Sequence, residues 1–232
     1  MSLIVALDFP DLEPARKLVK ELEGLVSIYK IGSELFTAHG WNAVDLVHQA
    51  NAKVFLDLKL HDIPTTVAKT SSVIAKRGIF MFNVHALGGL DMMRAARKAV
   101  DESAGAEKSK PLLLAVTILT SLEEKNLSSE LGIARLLPDE VLSLAKLAKQ
   151  AGLDGVVSSP REIRLLRREL GNAFTLLTPG IRPEGTQLDD QVRSLTPREA
   201  ISLGANYLVV GRPITASSNP RSAASEILQS LA

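Results

Sequence analysis

The segment Val54-Phe55-Leu56-Asp57-Leu58-Lys59-Leu60 is a short aliphatic run that carries an acid and a base near its end. Short aliphatic runs are typical of strands that are buried on both faces of a parallel sheet. Seven other runs of this kind recur along the chain, at residues 3–7, 28–31, 79–84, 112–119, 155–157, 174–177 and 207–210. The sequence therefore predicts eight strands.

The segments between these runs have the apolar periodicity of helices. After the sixth run, for example, Ile163, Leu166 and Leu170 fall on one helical face. Two predicted helix starts combine a capping box with a proline in the first helical position: Ser159-Pro160-Arg161-Glu162 and Thr196-Pro197-Arg198-Glu199. A weaker start and two glycine stops are predicted at Asn219-Pro220, Ala151-Gly152 and Leu203-Gly204.

Eight strands that alternate with helices predict an α/β fold, a single-domain (β/α)8 or TIM barrel over residues 1–232. The alternative is a doubly wound open sheet, which usually has fewer strands. Two predicted loops are longer than a barrel requires. The loop at residues 120–137 contains a predicted short helix start at Ser121-Leu122-Glu123-Glu124, and the loop at residues 180–194 is a candidate lid.

Composition excludes several classes of protein. The chain has 27 Lys and Arg against 26 Asp and Glu, so a net charge of +1 gives no support for a nucleic-acid or membrane partner. With no cysteine, disulfides and thiolate metal sites are excluded. The first residues lack the pattern of a signal peptide, and no apolar run approaches the ~20 residues that span a bilayer. The expected location is therefore the cytoplasm.

In a (β/α)8 barrel the active site lies at the carboxyl ends of the strands. The polar residues expected there are Asp8, Lys30, Asp57, Lys59, Asn83, His85, Thr117, Thr120, Ser158, Ser159, Thr178 and Arg212. The first three strands alone contribute four charged groups to one part of this rim. That crowding predicts the position of the site.

Asp57 and Lys59 are two residues apart, so a regular strand would point both side chains to the same side. A lone buried charge costs several kcal/mol, whereas opposite charges 4 Å apart attract by roughly 4 kcal/mol at an effective dielectric of 20. Neighbouring carboxylates would keep Lys59 protonated, and such a cation can donate a proton to a developing carbanion. An ordinary ion pair at a strand end is the alternative.

The eighth run leads directly into Gly211-Arg212-Pro213-Ile214. Glycine lets backbone N–H groups approach a phosphate closely, and an arginine can bind it with two hydrogen bonds. The loops after strands 7 and 8 are the usual phosphate site of this fold. Arg182 and Gln191, in the loop after strand 7, are candidate ligands for the same anion, although Arg182 could instead belong to a solvated loop.

The four histidines carry a weaker signal. For His61 we favour a structural role, and His39 and His48 are expected on a helix surface or at a cap. His85 could line the pocket or be a buried histidine with its own partner. These positions contain no histidine pair with the spacing of zinc ligands. No metal site is predicted.

Taken in order, these segments resemble the orotidine 5′-monophosphate decarboxylase family. The matching segments are Val5-Ala6-Leu7-Asp8, Tyr29-Lys30-Ile31-Gly32, Phe55-Leu56-Asp57-Leu58-Lys59-Leu60-His61-Asp62-Ile63-Pro64, Val116-Thr117-Ile118-Leu119-Thr120-Ser121, Thr178-Pro179-Gly180-Ile181-Arg182-Pro183 and Val210-Gly211-Arg212-Pro213-Ile214. The resemblance extends from the first strand to the last helix. It implies a decarboxylase of de novo pyrimidine biosynthesis that acts on a small nucleotide without metal or cofactor.

The resemblance also implies roles for the residues of the third run. Lys59 would protonate C6 of the pyrimidine as carbon dioxide leaves. Asp57 would lie beside the departing carboxylate, in an alternating charge network with Lys30, Lys59 and Asp62. Members of the family are homodimers, in which Asp62 and Thr66 would reach into the site of the partner subunit.

Further roles implied by the resemblance concern the rest of the nucleotide. Asp8 and Lys30 would contact the ribose hydroxyls, and Thr120 would lie near the pyrimidine edge. The phosphate would be held by Arg212, the Gly211 backbone and Gln191. Arg182 matches the arginine of the family's strand-7 loop, so residues 180–194 would close over the phosphate.

Two other readings remain possible at this point. A Mg²⁺-dependent sugar-phosphate decarboxylase or synthase of the same wider family shares Asp-x-Lys-x-x-Asp, but it carries an acidic residue where this chain has Lys30. A catalytically silent phosphate-binding barrel would not need to keep four mutually dependent charges. A ribulose-phosphate epimerase would need a set of metal-binding His and Asp residues that this sequence does not offer.

Overall fold

Eight parallel strands close into a barrel in the order of the sequence, with β1 paired to β8, in a computed structural model that describes residues 3–103, 110–181 and 195–231. The predicted (β/α)8 barrel is confirmed. Its strands are β1 Leu3–Ala6, β2 Ile28–Gly32, β3 Lys53–Leu60, β4 Met81–His85, β5 Leu112–Val116, β6 Gly155–Val157, β7 Thr175–Thr178 and β8 Tyr207–Val210.

Helices separate the strands and cover the outside of the barrel. They are α1 Leu12–Glu21, α2 Ser33–His39, α3 Trp41–Gln49, α4 Pro64–Ala75, α5 Gly89–Ser103, α6 Glu124–Ser129, α7 Leu137–Gln150, α8 Ile163–Leu170, α9 Pro197–Ser202, α10 Arg212–Thr215 and α11 Pro220–Ser230. Within the described residues, no helix is both long enough and apolar enough to cross a membrane.

Alternation along the strands divides the apolar side chains into two layers. In β1, Ile4 and Ala6 belong to the cluster inside the barrel, whereas Leu3 and Val5 pack in the layer between barrel and helices. The inner cluster also receives Phe55 from β3. Both faces of each strand are thus buried, which explains why the strands appear in the sequence as aliphatic runs.

Most predicted helix boundaries are confirmed. Thr196 and Glu199 form the predicted capping box, in which Thr196 N donates to the Glu199 carboxylate at 2.9 Å and Glu199 N donates to Thr196 Oγ1 at 3.3 Å. Asn219 caps α11 by accepting from Ser222 N at 2.9 Å. Gly204 follows α9 with a φ of 108°, a conformation that favours glycine.

Two predicted helix starts are shifted. The hydroxyl of Ser159 accepts from Arg161 N, but Pro160–Glu162 forms a single 3-10 turn, so α8 begins only at Ile163. In the loop after β5 the predicted short helix is present, but α6 begins at Glu124, the last residue of the predicted start, because Glu123 and Asn126 form its capping box.

Candidate active site

The carboxyl ends of the strands surround a cavity of about 490 Å³. Its wall contains seven of the predicted site residues: Asp8, Lys30, Asp57, Lys59, Thr120, Gly211 and Arg212. They come from β2 and β3, from the loops after β1 and β5, and from the two residues that follow β8. The barrel therefore brings together residues that are up to two hundred positions apart in the sequence.

Four of these residues form a chain of alternating charges across the ends of β1, β2 and β3. Lys30 Nζ lies 2.7 Å from Asp8 Oδ1 and 3.6 Å from Asp57 Oδ2. Lys59 Nζ lies 2.8 Å from Asp57 Oδ1. Lys30 thus contacts two carboxylates, whereas Lys59 contacts one, and its ammonium group ends this chain of charges at the cavity.

Exposure differs along this chain. The side chains of Lys30 and Asp57 are 11% and 13% exposed, whereas that of Lys59 is 39% exposed. Burial by itself would raise the pKa of Asp57, but Lys30, Lys59 and Asn83 together hold the pKa of this carboxyl below its ordinary value. Asp57 is therefore a buried anion that fixes two cations, one of which remains accessible from the cavity.

A glycine leaves room for the first ion pair. A Cβ atom on Gly32, at the end of β2, would lie 3.0 Å from Lys30 Nζ and 3.2 Å from Asp8 Oδ1. A side chain here would compete for the space in which Asp8 and Lys30 meet. Glycine at this position thus leaves the ion pair undisturbed, whereas a side chain would require Lys30 Nζ and the Asp8 carboxylate to shift by a few tenths of an ångström.

The proximity of Asp57 and Lys59 was predicted from regular strand alternation, and that reason is wrong. Leu56 pairs with Phe82 and Leu60 with Val84, so three residues of β3 oppose the single residue Asn83 of β4. Lys59 adopts a φ of +49°, which is uncommon for a residue with a side chain. The ion pair thus forms at an irregular strand end.

Sequence order places Asn83 at the rim, but its contacts with Asp57 and Lys59 were not predicted. Its side chain accepts from Lys59 N at 2.8 Å and donates to Asp57 Oδ1 at 2.7 Å. The residue is 1% exposed. An amide within the otherwise apolar run at residues 79–84 was the available signal, because a buried polar side chain requires partners.

Asp62 and Thr66 do not line the cavity of their own chain. Both are exposed, at the end of the β3–α4 connection and on the first turn of α4. The carboxylate of Asp62 accepts from Ile63 N, and within the described part of the chain it forms no ion pair with Lys59. Their predicted role in a partner subunit stays a prediction.

His61 and His85 contact each other rather than the cavity. Their rings stack with centroids 5.4 Å apart, and His85 Nδ1 accepts from Leu87 N at 3.4 Å. Burial, with smaller contributions from His61 and Lys59, lowers the pKa of His85 to about 4. His85 is thus a partly buried, neutral histidine, and the pocket-lining alternative is wrong. His39, the last residue of α2, fits the expected surface position, and its Nε2 lies 3.1 Å from the Pro10 carbonyl oxygen.

Arg182, Gln191 and most of the predicted lid at residues 180–194 lie outside the described residues. At the start of that loop, Gly180 and Ile181 line the cavity. Across the described ranges, no group of three or more His, Asp and Glu side chains is arranged to hold a metal ion.

Comparisons with known proteins agree with this geometry. A family model described as "Orotidine 5′-phosphate decarboxylase / HUMPS family" matches residues 1–227. A relative named orotidine 5′-phosphate decarboxylase from Moorella thermoacetica is 49% identical over 227 residues, which cover 97% of this chain and 90% of the relative. One of the same name from Legionella pneumophila is 48% identical over 230 residues, covering 99% of each chain.

Solved structures agree as well. An orotidine 5′-phosphate decarboxylase from Lactobacillus acidophilus superposes with a TM-score of 0.87 at 39% identity, covering 99% of this chain and 98% of the other. An uncharacterized conserved protein from Geobacillus kaustophilus gives 0.88 at 36% identity, covering 99% and 100%. With its eight-stranded barrel, charge chain and match over nearly its whole length, the chain belongs to the orotidine 5′-phosphate decarboxylase / HUMPS family.

Proposed function

We propose that this protein decarboxylates orotidine 5′-monophosphate to uridine 5′-monophosphate, a step of pyrimidine biosynthesis. The observation that carries the proposal is the chain Asp8–Lys30–Asp57–Lys59, which ends with an ammonium group at the cavity. Relatives at 48–49% identity that bear the name of this decarboxylase support the substrate.

Lys59 is the proposed proton donor. The bond between C6 and the carboxylate breaks, carbon dioxide leaves, and the electron pair that remains on C6 takes a proton from Lys59 Nζ. The product is then uridine 5′-monophosphate beside a neutral amine, which water can reprotonate because the side chain is 39% exposed. The site holds this cation in place before the reaction, so little reorganisation is needed as charge develops.

Asp57 fixes the donor. Its Oδ1 contacts Lys59 Nζ and its Oδ2 faces Lys30 Nζ, so the carboxylate sits between two cations. A carboxylate in this position stabilises the ammonium form of Lys59, which is the form that can donate a proton. Asp57 also lines the cavity, close to where the carboxylate of the substrate would be if C6 lies near Lys59.

The remaining polar residues of the wall are proposed to bind the other parts of the nucleotide. Asp8 and Lys30 suit the ribose hydroxyls, since one accepts and the other donates hydrogen bonds. Thr120 suits the pyrimidine edge. For the phosphate we propose Arg212 and the Gly211 backbone, with Gln191 and Arg182 from the loop at residues 180–194. Binding energy from these distant contacts could then be used at C6.

A homodimer with shared sites is part of the proposal. Asp62 and Thr66 are exposed, and the apolar side chain of Ile63, which follows Asp62 in the chain, is 64% exposed. Exposed apolar side chains next to conspicuous polar ones are typical of a contact surface. We also propose a cytoplasmic location, because a charged nucleotide does not cross a bilayer unaided.

The Mg²⁺-dependent alternative is disfavoured by Lys30. Its ammonium group lies between the carboxylates of Asp8 and Asp57, at 2.7 Å and 3.6 Å, where a divalent cation would need oxygen ligands. A cation that already neutralises both acids would repel a metal ion. The geometry within one chain thus favours a reaction in which the fixed ammonium group of Lys59 acts, over one in which a Mg²⁺ ion acts.

The test is the loss of the ultraviolet absorbance of orotidine 5′-monophosphate, measured with and without a chelator. We expect equal rates in both arms. Activity that is abolished by the chelator and restored by Mg²⁺ would move the protein to the metal-dependent branch. No consumption of the nucleotide in either arm would favour the silent phosphate-binding barrel.

A further inference from the structure

Asn83 connects the two residues at the centre of the proposed chemistry. Its carbonyl oxygen accepts from Lys59 N at 2.8 Å, and its amide nitrogen donates to Asp57 Oδ1 at 2.7 Å. Both bonds are short, and the residue is 1% exposed. The orientation of the amide is fixed by its partners, because an N–H can only donate and an ionised carboxylate can only accept.

The side chain of Asn83 replaces a backbone hydrogen bond that is missing between β3 and β4. Between the pairs Leu56–Phe82 and Leu60–Val84, three residues of β3 oppose Asn83 alone, so the ladder cannot continue through this segment. A carboxamide carries one acceptor and one donor group, as a backbone peptide does. The Asn83 side chain can therefore substitute for the backbone partner that Lys59 N lacks.

The conformation of Lys59 depends on this substitution. With a φ of +49°, Lys59 occupies a region that disfavours residues with a Cβ atom, and such conformations persist only where the surroundings impose them. The hydrogen bond from Lys59 N to Asn83 Oδ1 holds the backbone of Lys59 directly. The bond to Asp57 fixes the carboxylate that pairs with the ammonium group of the same residue.

We propose that Asn83 is a positioning residue, which sets the place of the Lys59 ammonium by holding both the backbone of Lys59 and the carboxylate of Asp57. The inference rests on the proposed function, since it concerns the proton donor of that reaction. Asn83 does not line the cavity and needs no contact with the substrate.

Two variants separate the two hydrogen bonds. Asn83→Ala removes both, and we expect kcat to fall by about 10- to 100-fold, since small misplacements of a reacting group have effects of this size. The affinity for uridine 5′-monophosphate should stay within about threefold of wild type, because the ribose and phosphate ligands are untouched. Asn83→Asp is nearly isosteric and keeps an acceptor for Lys59 N, but it loses the donor to Asp57.

The pH profile of Asn83→Asp is a readout that a purely structural role would not change. Asp57 is faced by Lys30 from β2, Lys59 from β3 and residue 83 from β4, with Asp8 beyond Lys30. A second carboxyl group at position 83 raises the pKa of Asp57 by like-charge repulsion. The acidic limb of kcat should therefore move to higher pH than in wild type.

The matched control is Asn206→Ala. Asn206 also bridges neighbouring strands, since it accepts from Leu176 N at 2.8 Å, but it lies at the opposite end of the barrel. Its loss should lower the melting temperature and leave kcat unchanged. Thermal unfolding of every variant checks that the barrel is intact.

Several outcomes would overturn the inference while wild-type activity stands. They are a wild-type kcat in folded Asn83→Ala, a loss of kcat that is matched by an equal loss of nucleotide binding, or an unshifted pH profile in Asn83→Asp. An inactive wild type would instead contradict the proposed function. In that case a crystal structure of Asn83→Ala still decides the inference: we expect Lys59 Nζ to leave Asp57, and an unchanged pair would overturn it.

Discussion

Lys59 places its ammonium group from a backbone conformation that is unfavourable in itself. A residue with a side chain pays roughly 1–2 kcal/mol in the left-handed region, where Lys59 has a φ of +49°. The hydrogen bond to Asn83 and the contact with Asp57 offset that cost. At the scale of single residues, the site therefore consists of mutually dependent groups, and removal of one leaves the others misplaced or uncompensated.

The lowered pKa of His85 gives a prediction about stability and pH. In the folded chain the pKa is about 4, below the ordinary value of 6.5. Between these values the unfolded chain binds a proton that the folded chain does not bind. The free energy of unfolding should therefore decrease as the pH falls from 6.5 to 4, and His85 should contribute roughly 2 kcal/mol of that decrease after solvent screening.

Urea unfolding of wild type and His85→Asn at pH 7 and pH 4.5 measures this effect. Asparagine retains an acceptor for Leu87 N but does not titrate. The variant should lose less stability on acidification than wild type. Equal losses in the two proteins would show that His85 takes up its proton as readily in the folded chain as in the unfolded one.

Two pairs of elements use the same device at the amino-terminal end of the barrel. Before β6, Asp154 accepts from Leu113 N of β5 at 2.7 Å and from Arg97 of α5 at 3.0 Å. Before β8, Asn206 accepts from Leu176 N of β7 at 2.8 Å and from Arg167 of α8 at 2.7 Å. In both cases one side-chain oxygen connects a helix to the strand that follows it in the chain.

Asn206→Ala tests this device at the element scale. The change removes an acceptor of Leu176 N and of the Arg167 guanidinium, and because Asn206 is exposed the cost should be that of a typical hydrogen bond, about 0.5–1.5 kcal/mol. We expect the free energy of unfolding to fall by that amount with no change in kcat. Chemical denaturation and the decarboxylation assay measure the two quantities, and an unchanged unfolding midpoint would contradict the role of Asn206.

The elements also show what could be predicted from the sequence. Eight aliphatic runs predicted eight strands, because a strand that is buried on both faces of a parallel sheet carries apolar side chains along most of its length. The irregular end of β3 has no such local sequence pattern. It depends on pairing with β4, so neither the φ of Lys59 nor the role of Asn83 follows from the pattern of residues 54–60 alone. The shifted start of α8 arose similarly, since Ser159 caps a 3-10 turn.

At the scale of the whole molecule, stabilising and reactive groups occupy opposite ends of one barrel. The Asp154 and Asn206 clusters hold the amino-terminal end, whereas the charge chain and the cavity occupy the carboxyl end. Sequence order predicted that arrangement for Asp8, Lys30, Asp57 and Arg212, because the fold fixes which ends of the strands meet. The exposed Asp62 and Thr66 do not contribute to their own cavity.

Subunit mixing tests whether these exposed residues complete a neighbouring site. Asp62→Ala subunits mixed with Lys59→Ala subunits should regain activity, because one site of each hybrid dimer combines an intact Lys59 with an intact Asp62. After random exchange about half of the dimers are hybrids with one complete site each, so about a quarter of all sites should be active. Lys59→Ala mixed with Asp57→Ala serves as the control: both residues line the cavity of one chain, so every site of a hybrid lacks one of them and no activity should return.

Recovery is measured by the ultraviolet assay after confirmed subunit exchange. Asp62→Ala and Lys59→Ala subunits that exchange and stay as inactive as either variant alone would count against a shared site. A monomeric wild type in solution would exclude it.

Lys59 is proposed to protonate the carbon from which carbon dioxide departs, and the variant Lys59→Ala tests this role most directly. Turnover of orotidine 5′-monophosphate and binding of uridine 5′-monophosphate are measured on the same preparation, with Lys17→Ala on the exposed face of α1 as the matched control. We predict that Lys59→Ala abolishes turnover and largely retains product binding, while Lys17→Ala changes neither. Decarboxylation by Lys59→Ala at close to the wild-type rate would contradict the claim.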